Sequence, residues 1–216
     1  MVTDPNRRVV IAIDGPAGAG KSTVGRALAD RLSVGYLDTG AMYRAMTFAA
    51  LRRGVVEGDL DEVAAIAPKV EMSIEDGKVI VDGVDATTAI RGREVTEAVS
   101  QISANPDVRQ VLVERQRAWV DEHDGGVVEG RDIGTVVFPD ADLKLYITAS
   151  PRVRAERRVR ELGGDVAEVE ASIIKRDRVD SSRVHSPLAE AADAVIVDTT
   201  GMTIDEVVDH IMEMLP

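Results

Sequence analysis

The sequence predicts an α/β fold: a five-stranded parallel sheet flanked by helices, with a small antiparallel insertion and a helical lid. Three observations carry that prediction. Five short apolar runs alternate with helix-like stretches, the pattern of buried parallel strands joined by helical crossovers. Residues 70–84 switch to the short alternation of antiparallel strands, which does not belong in a parallel core. Gly163-Gly164-Asp165, a flexible break after an arginine-rich helical stretch, suggests a second insertion.

The first apolar run is Val9–Ile13. Next comes Gly15-Pro16-Ala17-Gly18-Ala19-Gly20-Lys21-Ser22, which fits G-x-x-x-x-G-K-[ST], the phosphate-binding P-loop. Lys21–Leu32 then reads as a helix, so the motif sits in the strand–loop–helix setting it requires. The glycines let backbone N–H groups close around a polyphosphate where a Cβ would crowd it. The helix N-terminus adds partial positive charge. Lys21 supplies a cation for the β- and γ-phosphates, and the Ser22 hydroxyl can bind Mg²⁺. Gly15 through Ser22, with Thr23 beside them, are the expected ATP-binding residues.

The second run, Tyr36–Leu37, leads into Asp38-Thr39-Gly40-Ala41-Met42-Tyr43-Arg44 and a helix over Ala41–Arg53. Ligands bind open α/β sheets at the carboxyl ends of strands. Thr39 is a candidate helix cap, and Arg44 can hold a phosphate through two parallel hydrogen bonds. Within an insertion spanning 39–105, Asp76-Gly77 and Asp82-Gly83 are hairpin-turn signals. A helix over Asp107–His123 returns the chain to a third strand, Val127–Val128. Glu129-Gly130-Arg131-Asp132-Ile133-Gly134 follows it. Arg131 is a second phosphate ligand. Asp132 can either hold a Mg²⁺-bound water or accept a hydrogen bond from a base amino group.

The fourth strand is Leu143–Thr148 and the next helix Arg152–Leu162. Arg152, Arg154, Arg157, Arg158 and Arg160 crowd this helix. Arg154, Arg157 and Arg158 fall on one face, where like charges repel. Pairing of Glu156 with Arg160 and of Glu161 with Arg157 offsets only part of the excess, so an anion is expected there. Arginines folded over transferring phosphates would meet one. Arg176, Arg178, Asp180 and Arg183 form a second group. The last strand is Ala194–Val197, and a helix over Ile204–Met214 begins with the capping box Thr203-Ile204-Asp205-Glu206.

Composition sets limits. The 216 residues carry a net charge of −12 and only 3% aromatics, which argues against duplex nucleic acid and against a base-stacking surface. No cysteine is present, so disulfide, zinc-knuckle and thiol chemistries are excluded. No run approaches the ~20 apolar residues of a membrane span. The polar N-terminal stretch is a poor export signal, so a soluble cytoplasmic protein is expected. The guanine-reading Asn-Lys-x-Asp motif of GTPases is missing. His123, His185 and His210 are scattered, so no triad or metal site is marked.

Taken together, the chain resembles the bacterial-type cytidylate kinases of the nucleoside monophosphate kinase group. The resemblance rests on Ile13–Lys21, on Leu37-Asp38-Thr39-Gly40-Ala41-Met42-Tyr43-Arg44, on Gly130-Arg131-Asp132-Ile133-Gly134-Thr135-Val136-Val137-Phe138-Pro139, on Ser100–Arg109, and on Lys175-Arg176-Asp177-Arg178-Val179-Asp180. It implies one P-loop kinase domain: a core of residues 1–38 and 106–216, a monophosphate-binding insertion at 39–105 and a lid at 152–165. It implies the reaction of ATP with CMP or dCMP, with Mg²⁺; a monomer is expected. By similarity, Thr39, Ser100, Arg109 and Asp132 read the cytosine, while Tyr43, Arg44 and Arg131 lie near the acceptor phosphate. Arg176, Asp180 and Arg183 hold the sugar and nearby groups, and Arg157 and Arg158 match the lid arginines. Lys21, Arg131, Asp132, Arg157 and Arg158 are the expected catalytic set. Three places depart from the pattern: Ser22 stands where many members have Gly, Thr39 where some have Ser, and Ser181-Ser182 is less charged than in some relatives.

Overall fold

The computed structural model describes residues 8–55, 59–75, 77–182 and 187–215. In chain order the elements are β1 (Val9–Asp14), α1 (Lys21–Leu32), β2 (Tyr36–Asp38), α2 (Thr39–Arg52), α3 (Leu60–Ile66), β3 (Met72–Glu75), β4 (Lys78–Val81), β5 (Val84–Asp85), α4 (Arg93–Ile102), α5 (Pro106–Glu122), β6 (Gly125–Glu129), β7 (Leu143–Thr148), α6 (Pro151–Leu162), α7 (Val166–Ser181), β8 (Val195–Asp198) and α8 (Ile204–Met212). They form two compact units. One takes in the chain up to Leu37 and from Val120 onward; the other is Asp38–Trp119.

The first unit is built on a five-stranded sheet in the order β2-β6-β1-β7-β8. β1 pairs in parallel with β6 and β7, and β7 with β8. Ile11, Ile13, Val127, Leu145 and Ile147 are buried in one cluster with Leu28 of α1 and Val207 and Ile211 of α8, and α1 and α8 pack on each other. Strands buried on both faces read as continuous apolar runs, which is why five short runs sufficed to predict the sheet. β6 begins two residues before the predicted run because Gly125-Gly126 carries no strand signal in its side chains. The capping box of α8 is present, with Thr203 and Glu206 bonding each other's backbone.

The second unit holds the antiparallel sheet, in the order β3-β4-β5. Asp82 (φ 47°) and Gly83 (φ 75°) make the two-residue turn between β4 and β5, where Val81 pairs Val84, as their sequence predicts. Asp76, half of the other turn signal, lies outside the described residues. α2 packs on α4 and β4.

Several elements differ from the sequence reading. α3, α4 and α7 were not anticipated. The buried residues of α4 are Val95, Ala98, Val99 and Ile102, a helical spacing that a longer window would have detected. Helix α7 starts directly after Gly163-Gly164, where Asp165 caps it by accepting from Ala167 N and Glu168 N. Asp38, not Thr39, caps α2: its side chain accepts from Ala41 N, and Thr39 is buried in the first turn. A carboxylate one residue earlier satisfies the same orphan N–H group, so the hydroxyl is released from that task.

Candidate active site

The P-loop links β1 to α1. Gly15, Gly18 and Gly20 have φ values of 141°, 77° and 94°, a path that residues with a Cβ rarely follow. No side chain caps α1, so its first N–H groups are left to a ligand. Lys21 is buried at 8% exposure and donates to Pro16 O at 3.1 Å, which folds the ammonium back over its own loop. Ser22 Oγ donates to Glu129 Oε1 at 2.6 Å. Hydroxyl and carboxylate oxygens are the donor set a hard divalent cation accepts. No cluster of three or more His, Cys, Asp or Glu that could hold a metal occurs among the described residues. Mg²⁺ fits such a site, since it keeps water and phosphate ligands and needs few from protein. Glu129 is the residue that reading the sequence missed; the available signal was an acid at the end of a buried strand.

The loop after β6 runs back against this one. Gly130 N donates to Ile13 O at 2.9 Å, and Arg131 Nη1 donates to Gly15 O at 2.7 Å. Arg131 Nε also donates to Asp180 at 3.3 Å, and Arg176 Nε lies 3.8 Å from the same carboxylate. Asp180 is 1% exposed, so two guanidiniums compensate its buried charge. Asp132 is buried, and beyond it the chain makes a wide turn in which Val137 N reaches Asp132 O and Phe138 N reaches Ile133 O. Such five-residue turns recur at functional sites. Asp14 accepts from Ile133 N and Gly134 N at 2.8 and 2.7 Å. Burial pushes its carboxyl up to about 6, against the two amide hydrogen bonds that lower it.

The arginines of α6 do not act as one face. Arg154, at 3% exposure, donates to Ala149 O (2.9 Å) and Ala17 O (3.1 Å) and pairs with Asp177 at 2.7 Å. It holds the P-loop from behind. Arg157 donates to Ala19 O, Thr199 Oγ1 and Thr199 O. Arg158 has no hydrogen-bond or ion-pair partner among the described residues. The predicted pairing of Glu156 with Arg160 is replaced: Glu156 Oε1 takes Arg152, and Arg160 Nε reaches only the Glu156 carbonyl. Arg183 lies outside the described residues.

In the unit formed by Asp38–Trp119, Tyr43 and Arg109 come together, the guanidinium carbon 5.6 Å from the ring centroid, within cation–π range. Arg109, at 7% exposure, also reaches Ser103 O at 3.5 Å, and Ser103 Oγ donates to Ser100 O. Arg44 Nη1 donates to Ile90 O and Thr96 Oγ1 at 3.2 and 3.1 Å, so α4 pins its guanidinium. Thr39 is buried at 3% exposure.

A glycine-lined loop between a parallel strand and an uncapped helix, with Lys21 folded over it and Ser22 on a strand-end acid, defines a P-loop protein of the kinase type. The chain is similar in fold to a gluconokinase from Sinorhizobium meliloti (TM-score 0.52, 16% identity, covering 96% of this chain and 91% of that one). The cytidylate kinase family model matches residues 11–216. A cytidylate kinase of Corynebacterium efficiens is 49% identical over 219 residues, covering 97% of this chain and 95% of its own. A bifunctional pantoate ligase/cytidylate kinase of a Synechococcus strain is 48% identical over 222 residues; that alignment covers 97% of this chain but 41% of the longer protein. The chain belongs to the cytidylate kinase family.

Proposed function

We propose that this protein transfers the γ-phosphoryl group of ATP to CMP and dCMP, giving CDP and dCDP. One observation supports direct transfer above all: Arg131 bonds the backbone of Gly15, so the loop with the family's acceptor sequence adjoins the loop with its donor sequence. The donor lies on Gly15, Pro16, Ala17, Gly18, Ala19, Gly20, Lys21, Ser22 and Thr23. Ser22, with Glu129 behind it, would hold Mg²⁺, which would neutralise charge on the donor phosphates.

An oxygen of the CMP phosphate attacks the γ-phosphorus, the bond to the β–γ bridging oxygen breaks, and ADP leaves. The acceptor phosphate is already ionised, so no general base is required. Catalysis is positioning plus charge stabilisation. Lys21, Arg157 and Arg158 meet the transferring group, with residues 152–165 acting as a lid that keeps water out. Arg131 and Arg44 bind the acceptor phosphate, with Tyr43 beside Arg44. Asp132, Thr39, Ser100 and Arg109 read the cytosine. Arg176, Asp180 and Arg183 hold the sugar. Residues 39–105 form the monophosphate-binding region.

We place the protein in the cytoplasm as a monomer without nucleic-acid or membrane partners. Among the described residues no helix is long and apolar enough to cross a membrane. Coupled measurement of ADP release with CMP, dCMP, UMP, AMP and shikimate tests the reading. CMP and dCMP are expected to lead by kcat/KM. A lead by AMP or shikimate overturns the acceptor, and nucleotide binding without ADP release would make the protein a sensor.

A further inference from the structure

Asp14 ends β1 and is 4% exposed, a carboxylate for which the transfer reaction has no use. The parallel pairing of β1 with β6 ends at Ile13 and Glu129, so from Gly130 onward regular ladder bonds no longer hold the chain. Three consecutive residues take over that task. Ile13 O accepts from Gly130 N, the two Asp14 oxygens accept from Ile133 N and Gly134 N, and Gly15 O accepts from Arg131 Nη1. Arg131 and Asp132 are thereby held from both sides.

We propose that Asp14 is a positioning residue for the acceptor nucleotide, gripping the Ile133 and Gly134 amides so that Arg131 and Asp132 present their side chains in one fixed arrangement. The inference rests on the reading of those two residues as acceptor ligands. The choice of Asp follows from the count of acceptors. Each of the two backbone N–H groups meets its own oxygen, and among side chains only a carboxylate presents two acceptor oxygens. The isosteric amide would satisfy one and turn its own N–H₂ against the other. The arrangement is kept although burial and the Asp132 charge both work against ionisation, with the two amides and the Lys21 charge in its favour.

The test is Asp14→Asn, with Asp14→Ser as a second variant and Arg131→Ala and Asp132→Ala as references. KM for CMP should rise about tenfold or more, the scale of a small misplacement in a binding site. KM for ATP should stay within about threefold, and the preference for CMP over UMP should fall. Stabilisation of the melting temperature by CMP should shrink while that by ATP persists. Equal weakening for both nucleotides, an unchanged KM for CMP, or two variants that fail to fold even with both nucleotides present would overturn the positioning role and leave a structural one. If Arg131→Ala and Asp132→Ala themselves leave CMP use intact, the acceptor reading fails. If they impair it while Asp14→Asn does not, this inference alone fails.

Discussion

The Ser22 hydroxyl donates to the Glu129 carboxylate across 2.6 Å, tying the first turn of α1 to the last residue of β6. In the proposed site the Ser22 oxygen ligates Mg²⁺ and Glu129 orients it, and loss of such a partner costs about 10–100-fold in metal affinity. Glu129→Gln should therefore raise the Mg²⁺ concentration for half-maximal rate by about that factor at saturating ATP. A Mg²⁺ titration of initial rates checks it, and an unchanged midpoint would detach Glu129 from the metal.

Arg154 and Arg158 lie one turn apart on α6 and should behave differently. Arg154→Ala strands a half-compensated Asp177 and releases the P-loop carbonyl at Ala17. Breaking a fully buried pair from one side costs about 3–5 kcal/mol; Asp177 is 22% exposed, so water offsets part of that loss and the melting temperature should fall by a smaller but clear amount. Arg158→Ala should leave the melting temperature near the parent value and lower kcat. Thermal melts beside steady-state kinetics separate the two.

Asp14 gives stability a pH dependence opposite to that of an ordinary paired carboxylate. Its carboxyl lies near 6 in the fold against 3.8 as the reference value. A raised carboxyl contributes stability that is fully present below the unfolded value and is lost as pH rises through about 6, on the order of 3 kcal/mol in all. The melting-temperature advantage of the parent over Asp14→Asn should therefore grow on going from pH 8 to pH 5. An advantage that shrinks on acidification contradicts the burial argument.

Gly15→Ala should abolish the native fold. Its φ is 141°, and an added Cβ would lie 1.9 Å from the Ile147 carbonyl of β7, which cannot move without breaking the sheet. Gly54→Ala provides the contrast: its φ is also positive, at 69°, but no atom lies within 4 Å of the new methyl. There the left-handed backbone alone should cost about 1–2 kcal/mol. Circular dichroism and melting curves distinguish the outcomes.

The strand–loop–helix of the P-loop was legible because it is local. Lys21 and Ser22 lie within a few residues of the glycines that precede them, so spacing along the chain is close to spacing in space. The parallel sheet was legible for a related reason, since burial on both faces leaves apolar runs that no exposed element needs. Helix α7 was not, because Gly163-Gly164 reads as the end of order while Asp165 restarts a helix immediately. The tasks of the arginines were equally hidden. Helical spacing puts Arg154, Arg157 and Arg158 close together, yet one is buried under the P-loop and another bonds Thr199, 42 residues away.

By itself the sequence determined the strand–loop–helix of the P-loop, the sheet around it and the family, since each is written in contiguous residues. Only the tertiary structure decided that Glu129 stands behind Ser22, that Asp14 grips the loop bearing Arg131 and Asp132, and that Arg154 serves structure. Those relations join residues about 107 to 137 positions apart. They arise from parallel strand order, which places the end of β1 beside the ends of β6 and β7 although long stretches of chain separate them.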